Sequence, residues 1–205
     1  MPDTATTTPG DTPHPHLLVF DGFADWEASF AVAEVRRTGG REVVTVGFTG
    51  ESVTSMGGLD VQPRRRLAEL RPAEVSMLIM PGGDMWEREG AYPRDRLEPV
   101  LDDLAAAGRP IAAICAATLA LGRAGLLDAR RHTSNGAAYL AGAVPGYRGG
   151  DRYVDAPAVR EDGIITANGL AALHFAVEIF RELQILDEAD CAYWLAMHAS
   201  ARIPS

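Results

Sequence analysis

The chain has 205 residues, of which 47% are apolar, so it can bury the core of one ordinary domain and is short for two. Its 28 acidic and 19 basic residues give a formal net charge of −9, which argues against a surface that binds nucleic acid or an anionic membrane. No apolar run approaches the roughly 20 residues of a membrane span, and the N-terminal residues lack the basic start and apolar segment of a secretory signal, so we expect a cytoplasmic protein.

The two cysteines, Cys115 and Cys191, lie far apart in the chain and form no Cys-x-x-Cys pair. This pattern fits neither a disulfide framework nor a zinc site. We therefore expect two free thiols in a reducing compartment, with no metal ion and no organic cofactor.

The first 16 residues are rich in Thr, Pro, Asp and Gly and contain almost nothing apolar. Such a composition cannot offset the entropy that is lost when a segment becomes ordered. We predict a flexible tail at residues 1–16, followed by a single domain at residues 17–205.

From residue 17 onward, short apolar runs alternate with longer segments of helical periodicity. The elements predicted before the first cysteine are a strand at 17–20, a helix from an Asp25 N-cap to Thr38, a strand at 42–48, a hairpin at 50–63 that bends at Gly57-Gly58, a strand at 75–80, a helix at 94–107 and a strand at 110–114. Those predicted after it are a helix at 116–124, a short strand at 132–134, a helix at 136–142, two short strands around 161–163 and helices at 170–184 and 187–199. This alternation predicts an α/β fold, a three-layer sandwich with helices on both faces of a mainly parallel sheet.

The segment AAICAAT, residues 112–118, places Cys115 between a predicted buried strand and a predicted helix. In open α/β sheets, ligands bind at the carboxyl ends of the strands. A thiol at the N-terminus of a helix is favoured as the thiolate, which is the nucleophilic form. The alternative is that Cys115 is a small buried hydrophobe, the role that we expect for Cys191.

Two further candidate features come after predicted strands. Gly82-Gly83 comes directly after the strand at 75–80, where backbone N–H groups without side chains could form an oxyanion hole, although many glycine pairs are only turns. Glu27 lies in the first turn of the first predicted helix, where an acid can also be a surface residue that favours the helix dipole.

Five segments in this order resemble the ThiJ/PfpI superfamily, from Leu17 to about Leu186: DGFADWE, LIMPGG, AAICAAT, LLDARRHTSN and GIITANGLAALHFAVEIF. The resemblance implies a flavodoxin-like fold of the class I glutamine amidotransferase type. It also implies that Cys115 is the nucleophile, that Glu27 is its partner acid, and that Gly82, Gly83 and the N–H of Ala116 stabilise an oxyanion. Family members commonly form homodimers, so the resemblance implies a homodimer here.

The chain departs from the family pattern at the expected base. Many members have a histidine at the end of a stretch that resembles RRATTH, but here the stretch is RRHTSN and Asn135 occupies that position. Asparagine exchanges no proton at neutral pH, so Asn135 can only bind the substrate or an oxyanion. His132 is a weaker candidate base, because strand alternation points it away from position 135. Ala116 also replaces a histidine that is typical of the protease branch, which disfavours proteolysis.

Two functions remain open from the sequence. The first is a cysteine-dependent enzyme, a hydrolase, hydratase or glyoxalase-like protein, that acts on a small molecule through Cys115 and Glu27. The second is a redox or stress sensor without turnover, in which Cys115 is oxidised. A protonated Glu27 would lower the pKa of the thiol and an ionised Glu27 would raise it, and the sequence does not decide between these states.

Overall fold

The structure is a computed structural model that describes residues 12–201. Within these residues there are nine strands, and seven of them form the central sheet. The strands are β1 (His14–Val19), β2 (Val44–Gly47), β3 (Val53–Thr54), β4 (Asp60–Val61), β5 (Arg65–Arg66), β6 (Val75–Met80), β7 (Ile111–Ile114), β8 (Ala158–Glu161) and β9 (Ile164–Ala167). The order in the sheet is β5-β2-β1-β6-β7-β9-β8, and β8 alone runs antiparallel to its neighbour. β3 and β4 form the separate antiparallel hairpin that was predicted.

Helices cover both faces of this sheet. Within residues 12–201 they are α1 (Asp25–Arg37), α2 (Arg94–Ala106), α3 (Thr118–Arg123), α4 (Ala137–Ala143), α5 (Ala172–Glu182) and α6 (Glu188–Ser200). The predicted three-layer α/β/α sandwich is therefore confirmed. None of these helices has the length and apolar character that crossing a membrane requires.

The strand β6 shows why a nearly continuous apolar run forms a central strand. Its alternate side chains enter different cores: Leu78 and Met80 pack with α2 and α3, whereas Met77 and Ile79 pack with α1, α5 and α6. Because helices cover both faces of the sheet, the strand has no solvent-facing side and does not show the apolar–polar alternation of a half-exposed strand. The same holds for β7, which is buried along its whole length and ends directly before Cys115.

The domain begins earlier than predicted. β1 starts at His14, so residues 14–16 belong to the sheet and not to a tail, while residues 1–11 of the predicted tail lie outside the described part of the chain. Backbone pairing with β6 begins at His14, and the ladder bonds of a strand do not require apolar side chains. His16 is buried, and its Nδ1 lies 2.9 Å from the carbonyl oxygen of His14.

Other local predictions also need correction. Asp25 is the first residue of α1 and not its N-cap; its carboxylate instead accepts hydrogen bonds from the β3–β4 hairpin, from the hydroxyl of Ser55 and the N–H of Gly57. The predicted strand at 132–134 is only an isolated bridge between His132 and Tyr153. The short edge strand β5 was not predicted, since two consecutive arginines carry no strand signal.

Two buried histidines make the stability of the fold dependent on pH. Burial lowers the pKa of His16 and of His132 below the ordinary value of 6.5, so the folded state favours the neutral rings. The stabilisation that comes from keeping these rings neutral is therefore present above about pH 6.5 and is lost as the pH falls below that value. The loss in the free energy of unfolding is at most about 1.4 kcal/mol for each histidine between pH 7.5 and 5.5.

We expect the free energy of unfolding, measured with urea, to fall over this interval. The double variant His16→Gln, His132→Gln should be less stable at pH 7.5 but should show a flatter dependence on pH. An equally steep dependence in the double variant would contradict the assignment to these two rings.

Candidate active site

Cys115 lies at a strained turn between β7 and α3. Its φ angle is 60°, a left-handed conformation that a side chain rarely adopts and that costs on the order of 1–3 kcal/mol. Residues Cys115–Ala117 form a single 3₁₀ turn, and the hydroxyl of Thr118 donates a 2.6 Å hydrogen bond to the carbonyl oxygen of Cys115. The sharp turn leaves the sulfur at the wall of an open pocket.

Glu27 of α1 approaches the same sulfur from the other side. The residue is only 2% exposed, and its Oε2 accepts a 2.6 Å hydrogen bond from the N–H of Gly82. A Cβ on Gly82 would lie 2.6 Å from Glu27 Oε2 and 2.8 Å from the Cβ of Cys115. Glycine is therefore required at position 82 for the acid and the cysteine to meet.

Asn135 completes this contact from the loop before α4. Its Nδ2 donates to Cys115 Sγ over 3.3 Å, and its Oδ1 accepts a 2.9 Å hydrogen bond from the N–H of Gly169. Because a backbone N–H can only donate, this second bond turns the amide nitrogen of Asn135 toward the sulfur. The residue that replaces the family histidine thus acts as a fixed hydrogen-bond donor to the thiol.

The three backbone positions that were expected to hold an oxyanion differ from one another. The N–H of Ala116 faces the sulfur and lowers the pKa of the thiol. The N–H of Gly82 is already bound by Glu27. Gly83 packs against Gly22 and Phe20 and does not line the pocket. In this arrangement Gly82 orients the acid through its N–H, and the oxyanion role expected of Gly82-Gly83 stays a prediction.

The electrostatics of the site differ from the expectation of an ionised thiol. Burial raises the pKa of Cys115 to about 11; the amide of Asn135 lowers it in part, and the charge of Glu27 raises it again. Burial likewise raises the pKa of Glu27, against the effect of the Gly82 N–H and of the thiol. The resting site therefore holds Cys115 as a neutral thiol.

His132 is not a base for this thiol. The ring is completely buried, its Nδ1 lies 2.7 Å from the carbonyl oxygen of Arg130, and its Nε2 bonds the hydroxyl of Tyr147. The rings of Tyr147 and Tyr153 pack against the imidazole of His132 and cover it. Cys191 is buried in the core beside α5, as predicted.

The pocket in front of the sulfur has a volume of about 570 Å³. It is lined by Trp26, Glu27, Cys115, Ser134, Asn135, Gly136, Tyr153, Asp155, Asn168, Gly169 and Leu170. Trp26, which precedes Glu27 in the chain, lines the pocket, whereas Trp86 is buried in the core. Residues 168–170 were missed, although they follow β9, and the carboxyl ends of adjacent parallel strands share one edge of the sheet.

The fold and this site together define a three-layer α/β/α protein built around a cysteine at the turn after a central strand. The chain belongs to the DJ-1/PfpI family, whose family model matches residues 16–182. The family that the five sequence segments predicted is thus confirmed.

Individual relatives extend over most of the chain. The uncharacterized protease YoaZ of Bacillus subtilis is 34% identical over 194 residues, and the match covers 91% of each chain. The crystal structure of the DJ-1 superfamily protein Atu0886 from Agrobacterium tumefaciens has a TM-score of 0.85 at 35% identity and covers 93% of this chain and 100% of that one. The isonitrile hydratase of Pseudomonas putida is 30% identical over 145 residues, 67% of this chain and 57% of that protein. Relatives of this chain thus carry the names protease and isonitrile hydratase, and others are named deglycase.

Gly169 allows a direct test of the space around the sulfur. A Cβ at this position would lie 2.7 Å from Cys115 Sγ, so Gly169→Ala should force the thiol out of its position. We expect the free energy of unfolding to fall by about 1–3 kcal/mol and the rate at which iodoacetamide alkylates Cys115 to differ from that of the parent protein.

Gly142→Ala in α4 is the matched control, since nothing lies within 4 Å of a Cβ there. That variant should keep the rate of the parent protein. Equal alkylation rates in both variants would show that Gly169 does not confine the sulfur.

Proposed function

We propose that this chain is a cofactor-independent enzyme that uses Cys115 as a nucleophile on a small electrophilic molecule and Glu27 as its only proton carrier. The observation that carries the proposal is the shared position of the two groups: a thiol held at a strained turn, a buried carboxyl group beside it, and an open pocket in front of both. Hydration, glyoxalase-like rearrangement and hydrolysis of an activated bond are the reactions that this set of groups can support.

The first step follows from the pKa values. Because burial raises the pKa of Glu27, its carboxylate is a stronger base than an ordinary glutamate. It accepts the thiol proton as the sulfur forms a bond to the electrophilic carbon. The N–H of Ala116 and the amide of Asn135 are the donors nearest to the sulfur, and they are placed to bind negative charge that develops beside it.

The second step returns the same proton. Glu27, now protonated, gives its proton to the atom that became negative. Water then forms a bond to the carbon that carries the sulfur, the carbon–sulfur bond breaks, and a proton from that water returns through Glu27 to the sulfur. The overall change is the addition of one water molecule to the substrate. No leaving amine has to be protonated in such a reaction, so the absence of a histidine at position 135 is no obstacle.

Proteolysis fits the site less well, although relatives carry that name. Expulsion of an amine needs a general acid at the leaving nitrogen, and Asn135 and Ala116 occupy the two positions where the resemblance would place a histidine. A sensor function is also less well supported, because oxidation proceeds through the thiolate and burial keeps Cys115 protonated. The homodimer and the cytoplasmic location expected from the sequence stay proposals.

Cys115→Ala tests turnover. With methylglyoxal and with an alkyl isocyanide as neutral substrates, the parent protein should form lactate or the N-alkylformamide, respectively, over many cycles, followed by NMR. The variant should lose activity on the order of a thousandfold or more, while Cys191→Ala should keep it. Modification of the parent protein by a single equivalent of substrate, without release, would favour the sensor.

Glu27→Gln tests whether Glu27 sets the pKa of the thiol and carries the proton, because glutamine is neutral and does not titrate. The variant keeps an oxygen for the Gly82 N–H but removes the negative charge that raises the pKa of Cys115. We expect the pKa of the thiol to fall below its value of about 11, measured from the pH dependence of alkylation, while turnover decreases.

Asn135→Ala should shift the pKa of the thiol in the opposite direction, because it removes a donor to the sulfur. If Glu27→Gln left both the thiol pKa and turnover unchanged, Glu27 would not carry the proton.

A further inference from the structure

The charges that line the pocket are of one sign. Glu27 and Asp155 are acidic, and no lysine, arginine or histidine is among the lining residues. The two acids differ in their surroundings. Glu27 is buried and bound by Gly82, whereas Asp155 is exposed and has no hydrogen bond or ion pair from its side chain within residues 12–201. Asp155 is thus a carboxylate at the pocket wall with no partner from the described chain.

The backbone on either side of Asp155 is held in place. The N–H of Val154 donates a 2.8 Å hydrogen bond to the carbonyl oxygen of His132, and the hydroxyl of Thr133 donates a 2.9 Å bond to the carbonyl oxygen of Ala156. His132 and Thr133, which bind this backbone, are followed closely in the chain by Asn135, which contacts the sulfur. The position of Asp155 relative to Cys115 is therefore set by short, ordered connections.

Three large apolar or aromatic side chains also line the pocket, beside the neutral polar residues Ser134, Asn135 and Asn168. Leu170 is fully exposed and Trp26 is 49% exposed. Tyr153 lies two residues before Asp155 in the chain. Single exposed apolar residues are common on protein surfaces, but these three line one pocket together with a carboxylate. Aromatic faces and a carboxylate are the groups that bind an organic cation.

The geometry points to Asp155 as a specificity residue that makes this pocket select small electrophiles carrying a positive charge, such as a protonated amine, over anionic ones. The reactive carbon lies at Cys115, a short apolar body contacts Trp26 and Leu170, and the cation lies near Asp155. This inference rests on the proposed function for its chemistry, since the cation is attached to the molecule that Cys115 attacks. A carboxylate substrate finds two acids and no lining cation.

The charge preference can be measured without turnover. Three methanethiosulfonate reagents that transfer ethylammonium, ethylsulfonate or methyl groups react with thiols to give mixed disulfides and differ in charge. The Cys191→Ser background leaves one thiol, and the rates are divided by those of 2-mercaptoethanol to remove intrinsic reactivity. We expect a cation-to-anion rate ratio at Cys115 that exceeds the reference ratio by about tenfold or more and decreases at high salt.

Asp155→Asn should lower this ratio by about three- to thirtyfold, the range for a unit charge across a partly hydrated pocket, and should leave the rate of the neutral reagent unchanged. Asp155→Lys should invert the preference. Asp162→Asn is the control with the same change in net charge: Asp162 lies in the β8–β9 turn, beyond Ile164, which pairs with the first residue of β7. It is thus at the opposite end of the sheet from Cys115.

An unchanged ratio in Asp155→Asn, or an equal decrease in Asp162→Asn, would overturn the assignment to Asp155. The labelling result does not depend on catalysis, so loss of the proposed enzymatic function would leave it intact. Where turnover is found, Asp155→Asn should raise KM for an amine-bearing aldehyde by a clearly larger factor than KM for methylglyoxal, with a smaller effect on kcat for either substrate. A fall in kcat for both substrates would instead assign Asp155 a structural role.

Discussion

The carboxyl group of Glu27 and the thiol of Cys115 are removed from water side by side, and the chemistry of the site depends on this shared burial. Two acids that are close together in a medium of low polarity cannot both ionise, so their protons titrate as a pair. A negative charge on one of the two groups therefore raises the pKa of the other. The N–H groups of Gly82 and Ala116 and the amide of Asn135 all donate toward that charge.

This arrangement needs segments that are distant in the sequence. The cysteine comes from the end of β7, the acid from α1, Gly82 from the turn after β6, and Gly169 from the turn after β9. Parallel strands bring three of these segments to one edge of the sheet, and two glycines let their backbones approach the reacting groups. The strain at Cys115 is tolerated because β7 is buried on both faces and Thr118 binds the carbonyl oxygen of the turn.

The parts of the site that sequence could predict are those tied to regular elements. β6 and β7 are apolar runs that end at turns, so the place of Cys115 and Gly82 at the carboxyl edge follows from the residue pattern. The direction of the thiol pKa does not, because it depends on how much of the sulfur the packing covers. Asp155 and Gly169 lie in loops without periodicity, and the role of Gly82 depends on where the side chain of Glu27 ends.

Asn135 limits which reactions the site can perform. A histidine beside the cysteine could take a proton from the thiol and deliver it elsewhere, whereas the amide of Asn135 forms hydrogen bonds but transfers no proton at neutral pH. All proton transfer then passes through the single carboxyl group of Glu27, which must receive a proton from the thiol before it has one to give. Additions satisfy this order, because the atom that receives the proton is created by the attack of the sulfur. Expulsion of a poor leaving group does not, because it needs a proton at a second atom farther from Glu27. The replacement of one residue thus moves the expected chemistry from cleavage toward hydration.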